Sequence, residues 1–181
     1  MSAPDHDAPE RTMWAGKFLA IKKRGRWEYV GRTGGVQAAV ILAIDAGDDD
    51  GGCVILVEQY RVPIGGYCLE LPAGLVGDEQ AGESVEDSAA RELEEETGYR
   101  AARLTSLGTF YSSPGMVSEC FTLVRAEGLA KIGDGGGTAD ENIIVHRVPL
   151  DRLSAFVAER RAAGVAMDVK LLMLLGAGML A

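Results

Sequence analysis

Cysteine, histidine and cationic side chains are scarce in this 181-residue sequence. Its three cysteines, Cys53, Cys68 and Cys120, are odd in number and form no C-x-x-C pair, which argues against a zinc site or a disulfide framework and fits a reducing cytoplasm. The two histidines, His6 and His146, read as incidental. Lysine and arginine total 18 against 27 acidic residues, a net charge of −9, and the longest cationic run is Lys22-Lys23-Arg24. A nucleic-acid partner held through its phosphates normally needs a basic patch or stripe, so none is expected. Long hydrophobic runs are absent too. The apolar C-terminal run from Leu171 to Ala181 is too short to span a bilayer and reads as a buried helix. Met1 to Arg11 is acidic and polar, without the apolar core of a signal peptide. No membrane association is expected, and a cytoplasmic location is.

What is present suits one domain with a sizeable core, since 47% of the residues are hydrophobic and 25% charged. Residues 1–12 read as a disordered tail. Lys17–Lys23 and Trp27–Arg32 read as strands joined at Arg24-Gly25-Arg26, an antiparallel hairpin within residues 13–35. Val36–Ile44, Cys53–Tyr60 and Tyr67–Leu71 are further strands, with a turn composition between Asp45 and Gly52. From Ser84 to Thr97 the period changes: Val85, Ala89 and Leu93 recur at helical spacing, and Gly98 is a stop signal. Strands are expected again at Leu104–Tyr111, Phe121–Arg125 and Ile143–Val148. The glycine-rich stretch from Lys131 to Asn142 reads as a mobile loop. Helices at Asp151–Ala162 and Asp168–Leu180 close the chain. Strands and helices mix without regular alternation, so the fold class is α+β, with mixed β-sheets sandwiched between helices.

The most informative segment runs from Gly77 to Tyr99: G-x(5)-E-x(7)-R-E-L-x-E-E-x-G-Y. On a helix, Glu92, Glu95 and Glu96 project from nearly one face. Three like charges there repel one another and destabilise the helix unless something offsets them. Arg91 can pair with one carboxylate; hard divalent cations such as Mg²⁺ or Mn²⁺ suit the others. Such ions would also reconcile an acidic protein with a polyanionic substrate. Glu83 stands just before the helix, where its dipole favours a carboxylate.

This segment resembles the Nudix box at every fixed position, with Tyr99 replacing the usual final aliphatic residue. Val57-Glu-Gln-Tyr-Arg61, Gly65 to Gly74 and Trp27 to Thr33 further resemble the ADP-sugar pyrophosphatases of that family, a likeness covering roughly residues 16–148. It implies a Nudix fold over 36–181 and Mg²⁺-dependent hydrolysis, with Mn²⁺ able to substitute, of a nucleoside diphosphate sugar. ADP-ribose, yielding AMP and ribose 5-phosphate, is the first expectation, and GDP-mannose or another nucleotide sugar the second. A non-catalytic ADP-ribose sensor is a third reading, disfavoured by the intact box.

The resemblance also implies roles. Glu92, Glu96 and Glu95 would hold metal, with the carbonyl of Ala73. Arg91 and Glu83 would hold the helix. Glu141, and after it Glu119, is the candidate general base. Trp27 and Phe18 would stack on the adenine, while Arg32, Arg61, Glu70, Gly74 and Pro114 complete the substrate site. A homodimer is implied, the hairpin of one subunit helping to build its partner's site. One departure stands out: Pro72-Ala73-Gly74 lies three residues earlier than the subfamily pattern, as if three residues were inserted between Leu75 and Gly82.

Overall fold

The computed structural model describes residues 4–35, 37–45, 51–77, 82–138 and 141–174. Its centre is a pair of apolar strands, β4 (Ala38–Asp45) and β5 (Cys53–Arg61). Both read as nearly unbroken hydrophobic runs, the pattern of strands covered on two faces. In β4 the alternation is explicit. Ala39, Ile41 and Ala43 pack with Ala89 and Leu93, whereas Val40 joins Leu69, Leu123, Leu153 and Val157. The first set meets helix α1 (Val85–Thr97) and the second meets helix α2 (Leu153–Ala162). Each fully buried Val, Leu or Ile side chain here contributes roughly 1.5–3 kcal/mol of transfer free energy. The expected α+β fold, mixed sheets between helices, is the one observed.

Among the described residues the sheet around this pair has eight strands. β6 (Gly66–Glu70) pairs antiparallel with the C-terminal half of β5, and β10 (Ile144–Pro149) pairs along β5 from Cys53 to Glu58. β7 (Ala73–Leu75) lies antiparallel to the start of β4. β9 (Cys120–Lys131) runs parallel to β4 and forms a long hairpin with β8 (Tyr99–Tyr111). A two-residue strand, β11 (Ala166–Met167), lies parallel to Cys68 and Leu69 of β6. Neither β7 nor β11 is legible as a separate strand in the sequence, because each is too short to show a period. Among the described residues no helix is long and apolar enough to cross a membrane.

Three expectations need correction. Residues 1–12 are not all tail. Glu10–Ala15 forms β1, which pairs with β2 (Leu19–Arg24), itself paired with β3 (Trp27–Arg32). The hairpin is thus a three-stranded antiparallel sheet. Glu10 explains it: its carboxylate meets Lys22 at 3.0 Å and Arg24 at 3.4 Å, and accepts from Tyr29. Second, Asp168–Leu180 does not open as an α-helix. Asp168 caps a 3-10 turn over Val169–Leu171, and residues 175–180 lie outside the described residues. Third, β8 begins directly after Gly98, five residues earlier than the hydrophobic pattern indicates.

A polar cluster fastens α2 to the sheet. Glu58 is only 3% exposed on β5. Arg160 of α2 grips it with Nε at 2.9 Å and Nη2 at 2.6 Å, and His146 Nε2 of β10 lies 3.1 Å away. Removing one partner of a buried ion pair strands the other charge. Arg160→Ala should therefore destabilise the fold by about 2–3 kcal/mol, below the fully buried range because Arg160 keeps some water contact. Urea unfolding checks this; a loss under about 0.5 kcal/mol would show the cluster to be incidental.

Candidate active site

Helix α1 is held at both ends. Ser84 accepts the Asp87 N–H at 3.1 Å, and Glu86 and Asp87 favour the positive end of the dipole. At the other end Gly98 adopts φ 71° and donates to Glu94 O at 2.9 Å, a left-handed cap. With Ala89 and Leu93 turned to the core, Glu92 and Glu96 come to line a cleft of about 620 Å³.

Two neighbours fix these carboxylates. Arg91 bonds Glu92 at 2.9 Å, Glu95 at 3.3 Å and Glu83 at 3.2 Å. Glu83 also accepts the Gly77 N–H, and the Arg91 guanidinium holds its carboxyl below the usual range. Glu83 therefore braces the box arginine. The β7 backbone covers Glu92 so closely that a Cβ on Gly74 would stand 1.9 Å from its Cδ. Any larger residue there would have to displace the Glu92 carboxylate from its present position. Beside it, the Ala73 N–H donates to Glu96 Oε2 at 3.0 Å.

Glu96 is 5% exposed, and its carboxyl is pushed up to about 8. Burial is the main cause, opposed by the Ala73 N–H and reinforced by Glu92 and Glu141. Glu141 reaches this wall through the glycine-rich loop, and that loop is not the free segment its composition indicates. Gly136 and Gly137 donate to the carbonyls of Glu96 and Glu95 at 2.8 and 3.0 Å, and Ile132 and Gly133 donate to Gly98 O. The loop thus satisfies carbonyls that a helix end leaves open. At Gly135, φ is 69° and a Cβ would meet the Thr97 carbonyl carbon at 2.4 Å. Thr138 donates to Glu141 Oε2 from its N–H at 2.8 Å and its hydroxyl at 3.1 Å.

The cleft is also lined by cations, each paired. Arg61 grips Glu70 with two bonds of 2.7 Å. Arg32 Nε donates to Glu119. Lys170 meets Asp168 at 2.6 Å. Of the residues expected at the site, the cleft gathers Arg32, Arg61, Glu70, Ala73 and Gly74 with Glu92, Glu96, Glu119 and Glu141.

The rest stand apart. Glu95 is largely exposed and turned toward Arg91. Trp27 opens β3 and Phe18 lies in the bend before β2, both half or more exposed and outside this cleft, and Pro114 does not line it. Gln59, Cys68, Ser112, Phe121, Asp168 and Lys170 line the cleft without having been foreseen. Gln59 alternates with Glu58 on β5; Asp168 and Lys170 sit in an apolar stretch that reads as core helix. Burial, with Glu70 and Asp168 nearby, pushes the Cys68 thiol up to about 12, so it offers no thiolate nucleophile.

Among the described residues, no three carboxylate, histidine or cysteine side chains converge as a ready-made metal cage. The donor chemistry still suits a hard cation: Glu92 and Glu96 share a wall, and a nearby Glu141 adds repulsion that a positive charge would relieve.

The sequence matches the NUDIX domain family over residues 35–166. It is 37% identical over 124 residues to an ADP-ribose pyrophosphatase of Bacillus subtilis, covering 68% of this chain and 63% of that protein. It is 36% identical over 132 residues to a GDP-mannose pyrophosphatase of Yersinia enterocolitica, covering 68% and 65%. The chain spans about half to just under two thirds of the length of the first curated relatives it matches. A solved structure described as an ADP compounds hydrolase superposes with a TM-score of 0.66 at 24% identity, covering 94% of this chain and 91% of that one. This last likeness is one of fold.

The raised Glu96 carboxyl has a stability consequence. Its folded pKa, about 8, lies above the ordinary 4.5, so the folded protein binds this proton more tightly than the unfolded chain does. The proton's contribution is present below about pH 4.5 and is lost as pH rises toward about 8. Without divalent cations, the stability of the wild type relative to Glu96→Gln should fall between pH 5 and 8, by up to about 1.4 kcal/mol per pH unit. Paired denaturant titrations read the difference; a gap independent of pH would mean that Glu96 is not desolvated.

Proposed function

The chain belongs to the NUDIX family, and from that membership we propose that it is a divalent-metal-dependent hydrolase of a nucleoside diphosphate sugar, acting first on ADP-ribose. The reaction would add water across the pyrophosphate and release AMP and ribose 5-phosphate. The observation that carries this reading is the desolvated Glu96 carboxyl, one helical turn from Glu92 and electrostatically coupled to Glu141 on one wall of an open cleft. That the relatives include both an ADP-ribose and a GDP-mannose pyrophosphatase keeps GDP-mannose as the second substrate to test.

In this reading Glu92 and Glu96, with the Ala73 carbonyl, hold Mg²⁺, and Glu95 contributes from the rim. Mn²⁺ can replace Mg²⁺. A bound divalent cation supplies charge neutralisation for the pyrophosphate and acidifies a water molecule. The protein's own groups do the remainder. Arg91 and Glu83 keep the acidic helix face in register. Glu141, oriented by Thr138, accepts the proton of the attacking water. Glu119 is the weaker candidate for that task because Arg32 already engages its carboxylate. Arg61, steadied by Glu70, and Arg32 face the substrate; Gly74 and the Pro114 turn shape its surroundings. Trp27 and Phe18 serve as adenine stackers across a homodimer, residues 13–35 forming the shared region and 36–181 the hydrolase domain. The exposed apolar side chains of this region, Met13, Trp14, Phe18, Leu19, Ile21 and Trp27, support a partner there.

The test is phosphate release from ADP-ribose, GDP-mannose, NADH and coenzyme A, coupled to alkaline phosphatase, with Mg²⁺ and then with EDTA. Turnover of ADP-ribose should vanish in EDTA. Glu96→Gln should lower kcat by about a hundredfold or more. Glu141→Gln should lower kcat by about 10²–10⁴ with KM nearly unchanged, and should flatten the acid limb of the pH profile. Full activity after exhaustive chelation would sink the metal-dependent reading, and a near-wild-type Glu141→Gln beside an inactive Glu119→Gln would exchange the two roles.

A further inference from the structure

Among the described residues the cleft holds three cation–carboxylate pairs, and one of them comes from outside the NUDIX match. Asp168 and Lys170 follow residue 166, where that match ends. Lysine ordinarily keeps its ammonium in water while its stem covers apolar surface. The Lys170 side chain is instead only 16% exposed, folded into the cleft. Its Nζ lies 2.6 Å from Asp168 Oδ2 and 5.6 Å from the centroid of Phe121. Phe121 is itself backed by the stacked ring of Phe110 at 5.9 Å.

Asp168 is anchored in turn. Its Oδ1 accepts the Lys170 N–H at 2.7 Å, its own N–H donates to Leu69 O at 3.0 Å, and the preceding β11 pairs with β6. β6 is the strand that carries Glu70. The ammonium is therefore held between Asp168, which is tied to β6, and the Phe121 ring of β9. An ammonium has three donors. Among the described residues Lys170 uses one side-chain donor, on Asp168. Two remain for an incoming acceptor, whereas Arg61 already directs two donors to Glu70 and Arg32 one to Glu119.

We propose that Lys170 is a substrate-binding residue that donates to a phosphate oxygen of the nucleoside diphosphate, and that Asp168 is its positioning residue. This rests on the cleft being the hydrolytic site argued above. It also assigns part of substrate selection to a segment beyond the matched domain.

Lys170→Met keeps the stem over Phe121 and removes only the charge, which makes it the decisive variant. Two measurements are needed: KM for ADP-ribose with Mg²⁺, and the affinity for inorganic pyrophosphate by calorimetry with Mg²⁺. Loss of one charge-assisted hydrogen bond should raise KM and weaken pyrophosphate binding by about tenfold or more, with kcat changed less. Lys170→Arg should recover most of both. Asp168→Asn, which can still cap the turn, should raise KM in the same direction but less. Lys131→Ala is the control, since Lys131 also lies over a ring, that of Tyr99, and does not line the cleft. A folded Lys170→Met protein with both values within twofold of wild type overturns the proposal. If the wild type hydrolyses no nucleoside diphosphate, the functional reading fails, and pyrophosphate affinity alone decides Lys170.

Discussion

Taking a carboxylate out of water is the constraint on which this structure turns. Glu96 lies at the end of α1, almost wholly enclosed, with one backbone N–H from Ala73 and two acidic neighbours. A fold selected for stability alone would place an apolar side chain or a cation there. The surrounding architecture instead holds Glu92 against Arg91 and Glu96 beneath the Ala73 N–H, and Arg61 only partly offsets the burial of Glu96. That arrangement has a physical use if something positive arrives, which is why the site reads as chemistry rather than as packing.

Several otherwise unrelated features serve this one arrangement. Gly74 leaves room for the Glu92 carboxylate in its present position, and Gly135 is required because the loop backbone presses on the last turn of α1. The bonds from Gly136 and Gly137 to the carbonyls of Glu96 and Glu95 make Glu141 and the acidic helix parts of one hydrogen-bonded unit. Movement of either would move the other. The Arg91 fork onto Glu83, Glu92 and Glu95 does the same for the solvent side of the helix. The Glu58–Arg160–His146 cluster secures α2 beneath β5, the strand that delivers Gln59 and Arg61 to the cleft.

Much of this was legible in the residues. The period change at Ser84, the glycine stop at Gly98 and the spacing of Arg91, Glu92 and Glu96 locate α1 and its acidic face, because helical geometry is local. The apolar runs of β4 and β5 indicate strands covered on both sides. What was not legible depends on contacts distant in sequence. Glu10 finds Lys22, Arg24 and Tyr29 only after the hairpin forms, so β1 reads as tail. The glycines at 135–137 look mobile in composition because their partners are helix carbonyls, which a sequence does not display. Asp168 and Lys170 look like the start of an apolar helix, and their place in the cleft follows from β11 pairing with β6. In each case local pattern named the residue type and tertiary packing decided its neighbours.

The central claim is that Glu96 is kept desolvated to receive a hard cation together with Glu92. Mn²⁺, soaked into crystals of the protein and located by its anomalous scattering, tests that claim directly. The account predicts a peak in the cleft within coordination distance of carboxylate oxygens of both Glu92 and Glu96. No peak there at saturating Mn²⁺, or a peak held only by exposed carboxylates such as Glu95, would contradict it.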